Sequence, residues 1–419
     1  MLINYKFKNF CSFKDEAEFS MKATEAERVN YPENYVSGNP DILKSAVIVG
    51  ENAGGKSNFI KSLQYLKSFF KTNQNVESQV EYVNDDYTKT EYTLNREDTV
   101  QEFSLEVLID KTIYSYNLWV DILGIKYEKL ATLKSGDKTF LPIFTVERTK
   151  EENNLQEIIE KKLDDIPVSK LYFSVQLNPV YNQLKNFLQT PATQNDSIGL
   201  YLSKIALLNV PEAVTFSNWI NNTLCFEFAP YSGYELTKDR QSNSEILKII
   251  SDSRFLEILK IIDSSITEIR PDNRYPYQNT VIVRQNSEGQ SFGRELQSDS
   301  AGLKDYFRWA IQIFKVVYEN KVLFADEMDR SLNPVLADKI ISFINGTDHH
   351  GQFIFTTHNV LHLNLNKQMK EQIYFVTKNL STLHSELYSL ADFPDIDYRS
   401  DVNLYEFYLR GILGGTILG

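Results

Sequence analysis

Apolar and polar positions alternate along residues 2–8, so that every second side chain is apolar. This two-residue period predicts a strand, and residues 16–21 repeat it. Residues 100–147 are rich in Val, Ile, Tyr, Phe and Thr, with glycines between the runs, and predict further antiparallel strands. We therefore expect an antiparallel β lobe in the N-terminal part of the chain.

Three short apolar runs, at 45–49, 321–325 and 353–355, are typical of buried strands. Apolar residues follow the first run at helical spacing from Ser57 onward, and residues 303–319 show the same spacing before the second run. Another helix is expected near 335–345. Buried strands that alternate with helices predict an α/β fold with a parallel sheet.

The middle of the chain is expected to be mainly helical, with helices at 151–165 and 242–264, followed by a hairpin over 280–296. The chain shows no internal repeat. It also lacks the sustained heptad pattern of a coiled coil, so we expect no long coiled-coil arm. We expect three parts: an N-terminal half, an inserted helical region and a C-terminal half with a tail, at 1–150, 151–270 and 271–419.

Composition narrows the class of protein. The chain has 44 Lys and Arg against 56 Asp and Glu, a formal net charge of −12, which argues against a general nucleic-acid coat or a binder of anionic membranes. Its only two cysteines, Cys11 and Cys225, exclude a disulfide framework. No apolar run approaches the length of a membrane span. The expectation is a cytoplasmic protein that makes no membrane contact.

One segment carries a phosphate-binding pattern, because residues 50–57 match G-x-x-x-x-G-K-[ST] between a buried strand and a helix. In this pattern backbone N–H groups surround the phosphates, the lysine reaches the β- and γ-phosphates, and the hydroxyl holds Mg²⁺. The alternative is a glycine-rich turn that binds nothing. We predict ATP and Mg²⁺ as cofactors, and the ATP-binding residues are Gly50, Glu51, Asn52, Ala53, Gly54, Gly55, Lys56 and Ser57.

Two carboxylates, Asp326 and Glu327, end the second apolar run. The first suits a metal ligand, and the second could polarise an attacking water. The plain alternative is a strand end that enters solvent. Because a phosphate-binding pattern lies upstream, we predict that Asp326 and Ser57 bind Mg²⁺ and that Glu327 is catalytic.

Asp326-Glu327 is followed along the chain by Ser331-Leu332-Asn333-Pro334 and then by Thr356-Thr357-His358. In this order the three motifs resemble the Walker B motif with its catalytic glutamate, the D-loop and the switch histidine of the nucleotide-binding domain of ABC-type ATPases. The resemblance implies an ABC-type P-loop ATPase head with an N-terminal antiparallel β lobe. It also implies that His358 is catalytic and that Ser331 binds ATP.

Two further ABC motifs have weaker candidates. Ser300-x-Gly302 precedes the helix at 303–319 and looks like a degenerate signature motif, which would contact the ATP of the opposite subunit. By pattern alone it is a helix cap. Gln176 follows an apolar run and is our candidate for the Q-loop residue that contacts ATP and its metal; the alternative is a surface glutamine.

The chain start, Asn9-Phe10-Cys11-Ser12-Phe13, resembles the opening of the RecF, structural-maintenance-of-chromosomes (SMC) and OLD branch of these ATPases. The tail segments 371–376, 386–390 and 408–411 look like those of OLD-like proteins of abortive-infection and RloA-type phage-defence operons. The resemblance implies a homodimer or higher oligomer closed by ATP. Since no acidic cluster of a nuclease follows His358, it also implies a separately encoded effector, a nuclease or toxin.

Other functions stand beside this one. A RecF-like DNA repair or recombination ATPase would need a basic DNA-binding face, so nucleic acid stays open as a partner. A transporter subunit would need a more compact domain and a clearer signature motif. An ATP-gated scaffold would bind ATP and hydrolyse it poorly.

Overall fold

The computed structural model describes most of the chain, namely residues 1–24, 29–70, 100–121, 124–151, 170–188, 192–193, 199–228, 242–328, 332–393, 404–410 and 413. The chain divides into two compact units. The first unit comprises Met1–Lys22, Glu51–Leu224 and Phe375–Tyr388. The second comprises Ala23–Gly50, Cys225–Tyr374 and Ser389–Gly419.

Strands and helices are numbered along the chain. The strands are β1 (Leu2–Lys8), β2 (Ala17–Ser20), β3 (Tyr35–Val36), β4 (Ile42–Leu43), β5 (Ser45–Gly50), β6 (Gln101–Ile109), β7 (Thr112–Asp121), β8 (Gly124–Lys134), β9 (Leu141–Glu151), β10 (Lys170–Leu177), β11 (Ala192–Thr193), β12 (Leu224–Phe228), β13 (Ile266–Arg270), β14 (Val281–Gln285), β15 (Ser291–Glu295), β16 (Val322–Asp326), β17 (Gln352–Thr357), β18 (Ile373–Lys378) and β19 (Ser385–Ser389). The α-helices are α1 (Lys56–Ser68), α2 (Lys185–Leu188), α3 (Tyr201–Leu207), α4 (Pro211–Asn222), α5 (Ser242–Ile250), α6 (Ser253–Leu259), α7 (Ala301–Glu319), α8 (Pro334–Gly346) and α9 (Leu404–Leu409).

The first unit contains the antiparallel sheet that the alternating pattern predicts. Its strands lie in the order β11-β10-β9-β8-β7-β6-β1-β2. Tyr5 of β1 stands opposite Phe19 of β2 and Leu105 of β6, and all three side chains are buried. The ring of Phe59 on α1 packs against this face, 6.3 Å from the ring of Tyr5. The expected N-terminal β lobe is confirmed.

A buried carboxylate ties a helix to this sheet. Glu128 of β8 accepts hydrogen bonds from the Tyr116 hydroxyl at 2.9 Å and from the backbone N–H groups of Tyr201 and Leu202 at 2.7 and 3.0 Å. Burial raises the pKa of the Glu128 carboxyl to about 7, although these donors oppose the shift. The N-terminus of α3 is thus fixed to the strand.

The second unit carries the parallel strands. They lie in the order β12-β16-β17-β5, and β16, β17 and β5 run parallel with Ala325 opposite Phe355 and Phe355 opposite Val47. All three strands are buried along their length, as their uninterrupted apolar runs predict. The remaining strands of the sheet, β18 and β19, have residues in both units. Gly50, Asp326 and Thr357 are the last residues of β5, β16 and β17. Because these strands are parallel, the three residues lie at the same edge of the sheet.

The helices beside this sheet follow the predicted spacing. Helix α7 buries a stripe that includes Tyr306, Phe307 and Phe314, and α8 buries Ile340 and Ile341. These helices match the predictions at 303–319 and 335–345. Strands β14 and β15 form the predicted hairpin, whose turn contains a glycine in the left-handed region. The α/β class is therefore confirmed.

The region 151–270 contains strands as well as helices. Helices α5 and α6 match the prediction at 242–264, and the predicted helix at 151–165 lies almost wholly outside the described residues. Strand β10, however, extends the antiparallel sheet, because Leu171, Phe173 and Val175 alternate as a strand requires. Among the described residues, no helix is both long and apolar enough to span a membrane.

Candidate functional site

Residues 51–57 of the phosphate-loop segment belong to the first unit and follow β5 in the chain, with α1 beginning at Lys56. Ala53 and Gly55 adopt positive φ angles of 62° and 120°. The ammonium of Lys56, a buried side chain, donates a 2.9 Å hydrogen bond to the Glu51 carbonyl, and the Gly54 N–H contacts the same oxygen at 3.2 Å. Such alternation of backbone conformation turns successive N–H groups toward one point and forms an anion-binding concavity. The loop therefore has the backbone shape of an anion-binding site.

The hydroxyl groups of Ser385 and Ser12 form hydrogen bonds beside this loop. The Ser385 hydroxyl lies 2.6 Å from the Gly54 carbonyl oxygen and 2.7 Å from the Ser12 hydroxyl. The Asn58 side-chain amide donates to Ser12 at 2.9 Å, and the Ser385 N–H donates to the Ser12 carbonyl at 2.7 Å. These contacts join three distant segments of the first unit. Neither Ser12 nor Ser385 was predicted to have a role at the site. Ser12 lies within the motif Asn9-Phe10-Cys11-Ser12-Phe13, whereas no pattern in the sequence marks Ser385.

Gly55 has no room for a side chain. A Cβ atom at this position would lie 2.4 Å from the Ser385 hydroxyl oxygen and 2.9 Å from the Ser385 Cβ. Its φ of 120° also lies in a region that residues with a Cβ rarely adopt. The glycine is thus required both by the backbone conformation and by the close approach of β19.

The acidic pair lies in the second unit at the end of β16. The Thr356 hydroxyl donates to Asp326 Oδ1 at 2.6 Å and accepts the Glu327 N–H at 2.9 Å. Thr356 is fully buried in β17, the neighbouring strand. Glu327 has a positive φ of 51°, so the chain turns sharply after Asp326. One hydroxyl therefore fixes both acidic residues at the strand end.

The structure brings the predicted switch histidine to the predicted catalytic glutamate. His358 Nε2 lies 3.4 Å from Glu327 Oε1, although the two residues are 31 positions apart. About a third of each side chain is exposed to solvent, 36% for His358 and 32% for Glu327. Both are accessible to a ligand, and the histidine can orient the glutamate.

The signature candidate is a helix cap. Ser300 is the N-cap of α7, and its hydroxyl accepts the Leu303 N–H at 3.2 Å. Both Ser300 and Gly302 are exposed, and beyond the adjoining backbone of its own helix no atom of the described residues lies within 4 Å of a Cβ built on Gly302. The helix cap is thus present, while the contact with ATP stays a prediction.

Gln176 and Ser331 are the two remaining residues that were predicted to contact ATP. Gln176 is exposed on β10 and stands opposite Thr145 of β9, and its role as the Q-loop residue stays a prediction. Ser331 lies outside the described residues. Within the same predicted D-loop, the Asn333 side chain accepts the Leu336 N–H at 2.9 Å and begins α8.

The donor set suits Mg²⁺ bound together with a phosphate ligand. Among the described residues, no group of three or more His, Cys, Asp or Glu side chains could form a metal cage by itself. Mg²⁺ usually takes one or two protein oxygens and completes its shell with water and substrate phosphates. The hydroxyl of Ser57 in the first unit and the carboxylate of Asp326 in the second are each an oxygen of that kind, and their binding of Mg²⁺ stays a prediction.

Solved structures similar to this one include SMC heads. The SMC head domain from Thermotoga maritima matches with a TM-score of 0.41 and 11% identity, covering 93% of this chain and 98% of that chain. An SMC head bound to the C-terminal winged-helix domain of ScpA matches with a TM-score of 0.45 and 12% identity, covering 93% and 97%. A Pyrococcus furiosus head bound to the C-terminal domain of ScpA matches with 0.41 and 13%, covering 93% and 96%.

No curated protein matches the sequence. One family model does match, over residues 45–364, a range that contains the phosphate loop, the acidic pair and His358. This range is well over half of the chain. The protein therefore belongs to the family described as "AAA domain, putative AbiEii toxin, Type IV TA system".

Proposed function

We propose that the protein is an ABC-type ATPase that closes as a dimer on Mg-ATP and controls a separately encoded effector in bacterial anti-phage defence. The observation that carries the ATPase part is the phosphate loop. Lys56 is buried at the N-terminus of a 13-residue helix and donates to the Glu51 carbonyl within a loop of positive φ angles. A lysine held in such a loop suits the β- and γ-phosphates of a nucleotide.

Each predicted site residue then has a definite role. Lys56 would neutralise the phosphates, and Ser57 and Asp326 would hold Mg²⁺. Glu327 accepts a proton from the attacking water, while His358 orients Glu327 and bonds the γ-phosphate. The 3.4 Å separation of His358 from Glu327 supports this pairing.

The ATPase proposal is tested by Lys56→Ala in the full-length protein. We expect ATP binding and turnover to be abolished, because a cationic phosphate contact in a buried site is lost. Lys61→Ala is the matched control, since Lys61 lies on the same helix with an exposed side chain. Calorimetric ATP binding and phosphate release are measured for both. Wild-type turnover by Lys56→Ala would refute the phosphate-loop assignment.

The dimer is supported by the exposed start of α7, where a Cβ built on Gly302 would meet no described residue outside its own helix within 4 Å. We propose that Ser300 and Gly302 contact the ATP of the second subunit. Gly302→Asp should oppose closure by repelling phosphate. Mixing inactive Lys56→Ala with inactive Gly302→Asp subunits should restore one composite site in each heterodimer, seen as partial turnover. No recovery in verified heterodimers would contradict a shared site.

The family description, which names a putative toxin of a toxin–antitoxin system, supports a toxin–antitoxin context for the proposal. Expressed alone, this chain should neither protect cells from phage nor arrest their growth. The purified protein should leave DNA and RNA intact with Mg²⁺ or Mn²⁺. Growth arrest by the chain alone would show that it is itself the toxic component, and intrinsic nucleic-acid cleavage would show that it is a nuclease. Either result would overturn the separate effector.

A further inference from the structure

We infer that Ser385 is a positioning residue for the phosphate loop: its hydroxyl, supported by that of Ser12, aims the backbone N–H of Gly55. The inference rests on the proposed ATP-binding function and adds a residue from the C-terminal part of the chain to it. Ser385 is the first residue of β19 and lies 331 positions from Gly54, whose carbonyl it contacts.

The argument follows from the geometry of one peptide unit. The carbonyl of Gly54 and the N–H of Gly55 belong to the same planar trans peptide, so they point in opposite directions. Because the carbonyl is held at 2.6 Å by the Ser385 hydroxyl, the Gly55 N–H must point away from Ser385. Without that hydroxyl, the Gly54–Gly55 peptide could rotate, since glycine tolerates most backbone conformations.

The proton count of the hydroxyls gives the contact a direction. Each serine hydroxyl carries one proton and can accept two hydrogen bonds. The Gly54 carbonyl can only accept, so it takes the single Ser385 proton. The Ser12 hydroxyl, which accepts from the Asn58 amide, must then donate its own proton to Ser385 across the 2.7 Å contact. Ser12 thereby fixes the rotation of the Ser385 hydroxyl.

Burial protects this series of hydrogen bonds from water. Ser12 and Ser385 expose only 7% and 5% of their surfaces, so water cannot readily replace a missing hydroxyl. A Cβ atom on Gly55 would lie 2.9 Å from the Ser385 Cβ, so Ser385 also excludes any side chain at this position. The same residue thus holds the loop by a hydrogen bond and requires a glycine beside it.

Ser385→Ala tests the inference in the full-length protein. We expect ATP affinity to fall about tenfold, as for the loss of a hydrogen bond to a buried carbonyl. KM should rise by a similar factor while kcat stays within about twofold, because the hydroxyl contacts no reacting atom. Ser12→Ala should weaken binding about threefold, since it acts one bond further away. The double variant should bind about as weakly as Ser385→Ala alone.

Ser381→Ala is the matched control, because Ser381 is exposed in the turn that precedes β19. It should bind ATP as the wild type does. A purely structural role predicts a different result: a lower unfolding temperature with wild-type ATP affinity and KM in the folded protein, which would overturn the inference. If Ser385→Ala does not fold, Ser12→Ala supplies the test, and unchanged ATP affinity there would equally overturn it. Failure of the wild type to bind ATP would instead overturn the proposed function, and the inference with it.

Discussion

The phosphate loop and the acidic strand end are built in opposite ways. In the loop, backbone N–H groups are the predicted phosphate ligands, and side chains such as Lys56 and Ser385 hold the carbonyls of Glu51 and Gly54. At the end of β16, carboxylate side chains are the predicted functional groups, and one buried threonine holds Asp326 Oδ1 and the Glu327 N–H. The difference indicates that changes in the loop should act on nucleotide binding, whereas changes at the strand end should act on the chemical step.

Glu327→Gln should give the largest separation of these effects. We expect hydrolysis to slow about 100-fold or more while ATP still binds, because the amide cannot accept the proton of the attacking water. The ATP-bound dimer should accumulate and be visible as a doubled mass in solution. Glu288→Gln, in the exposed turn of the β14–β15 hairpin, is the control. Undiminished turnover would contradict the assignment of the chemical step to the acidic strand end. A loss of ATP affinity as large as the loss of turnover would contradict it too.

Gly55→Ala should produce the reverse pattern. The added methyl would meet Ser385 at less than contact distance and would sit on a backbone with φ of 120°. We expect ATP affinity to fall about 30-fold, as for a local distortion costing about 2 kcal/mol. Gly136→Ala is the control for backbone strain alone, because Gly136 also has a positive φ but nothing within 4 Å of its Cβ position. Equal ATP affinity in both variants would show that the loop does not require the contact with Ser385.

Thr356→Val should give the smallest effect, at the acidic strand end. The valine keeps the volume but cannot donate to Asp326 or accept the Glu327 N–H. We expect kcat to fall about tenfold and the protein to lose about 1–3 kcal/mol of stability, because the hydrogen bonds of the Thr356 hydroxyl with Asp326 and with the Glu327 N–H are lost. Thr356→Ser keeps the hydroxyl and should restore kcat. Steady-state kinetics and denaturant unfolding measure both quantities, and a change in ATP affinity with constant kcat would contradict the assignment.

Local sequence determined the elements that carry both regions. The apolar residues at 45–49 and 321–325 follow one another without a polar interruption. This is the pattern expected of a parallel strand that is buried on both faces. The glycines and Lys56 of the loop are likewise neighbours in the chain, so their pattern is visible without any packing. The strand end at Asp326 followed from the same local rule.

Tertiary structure decided which distant groups meet these elements. Ser385 contacts Gly54 and Ser12 across separations of 331 and 373 residues, and no periodicity in the sequence encodes that meeting. It depends on how strands pack and on the register that places one hydroxyl beside one carbonyl. The same holds for β10, which looked like part of a helical region and instead pairs with β9, because strand pairing is a long-range choice that local propensity only permits.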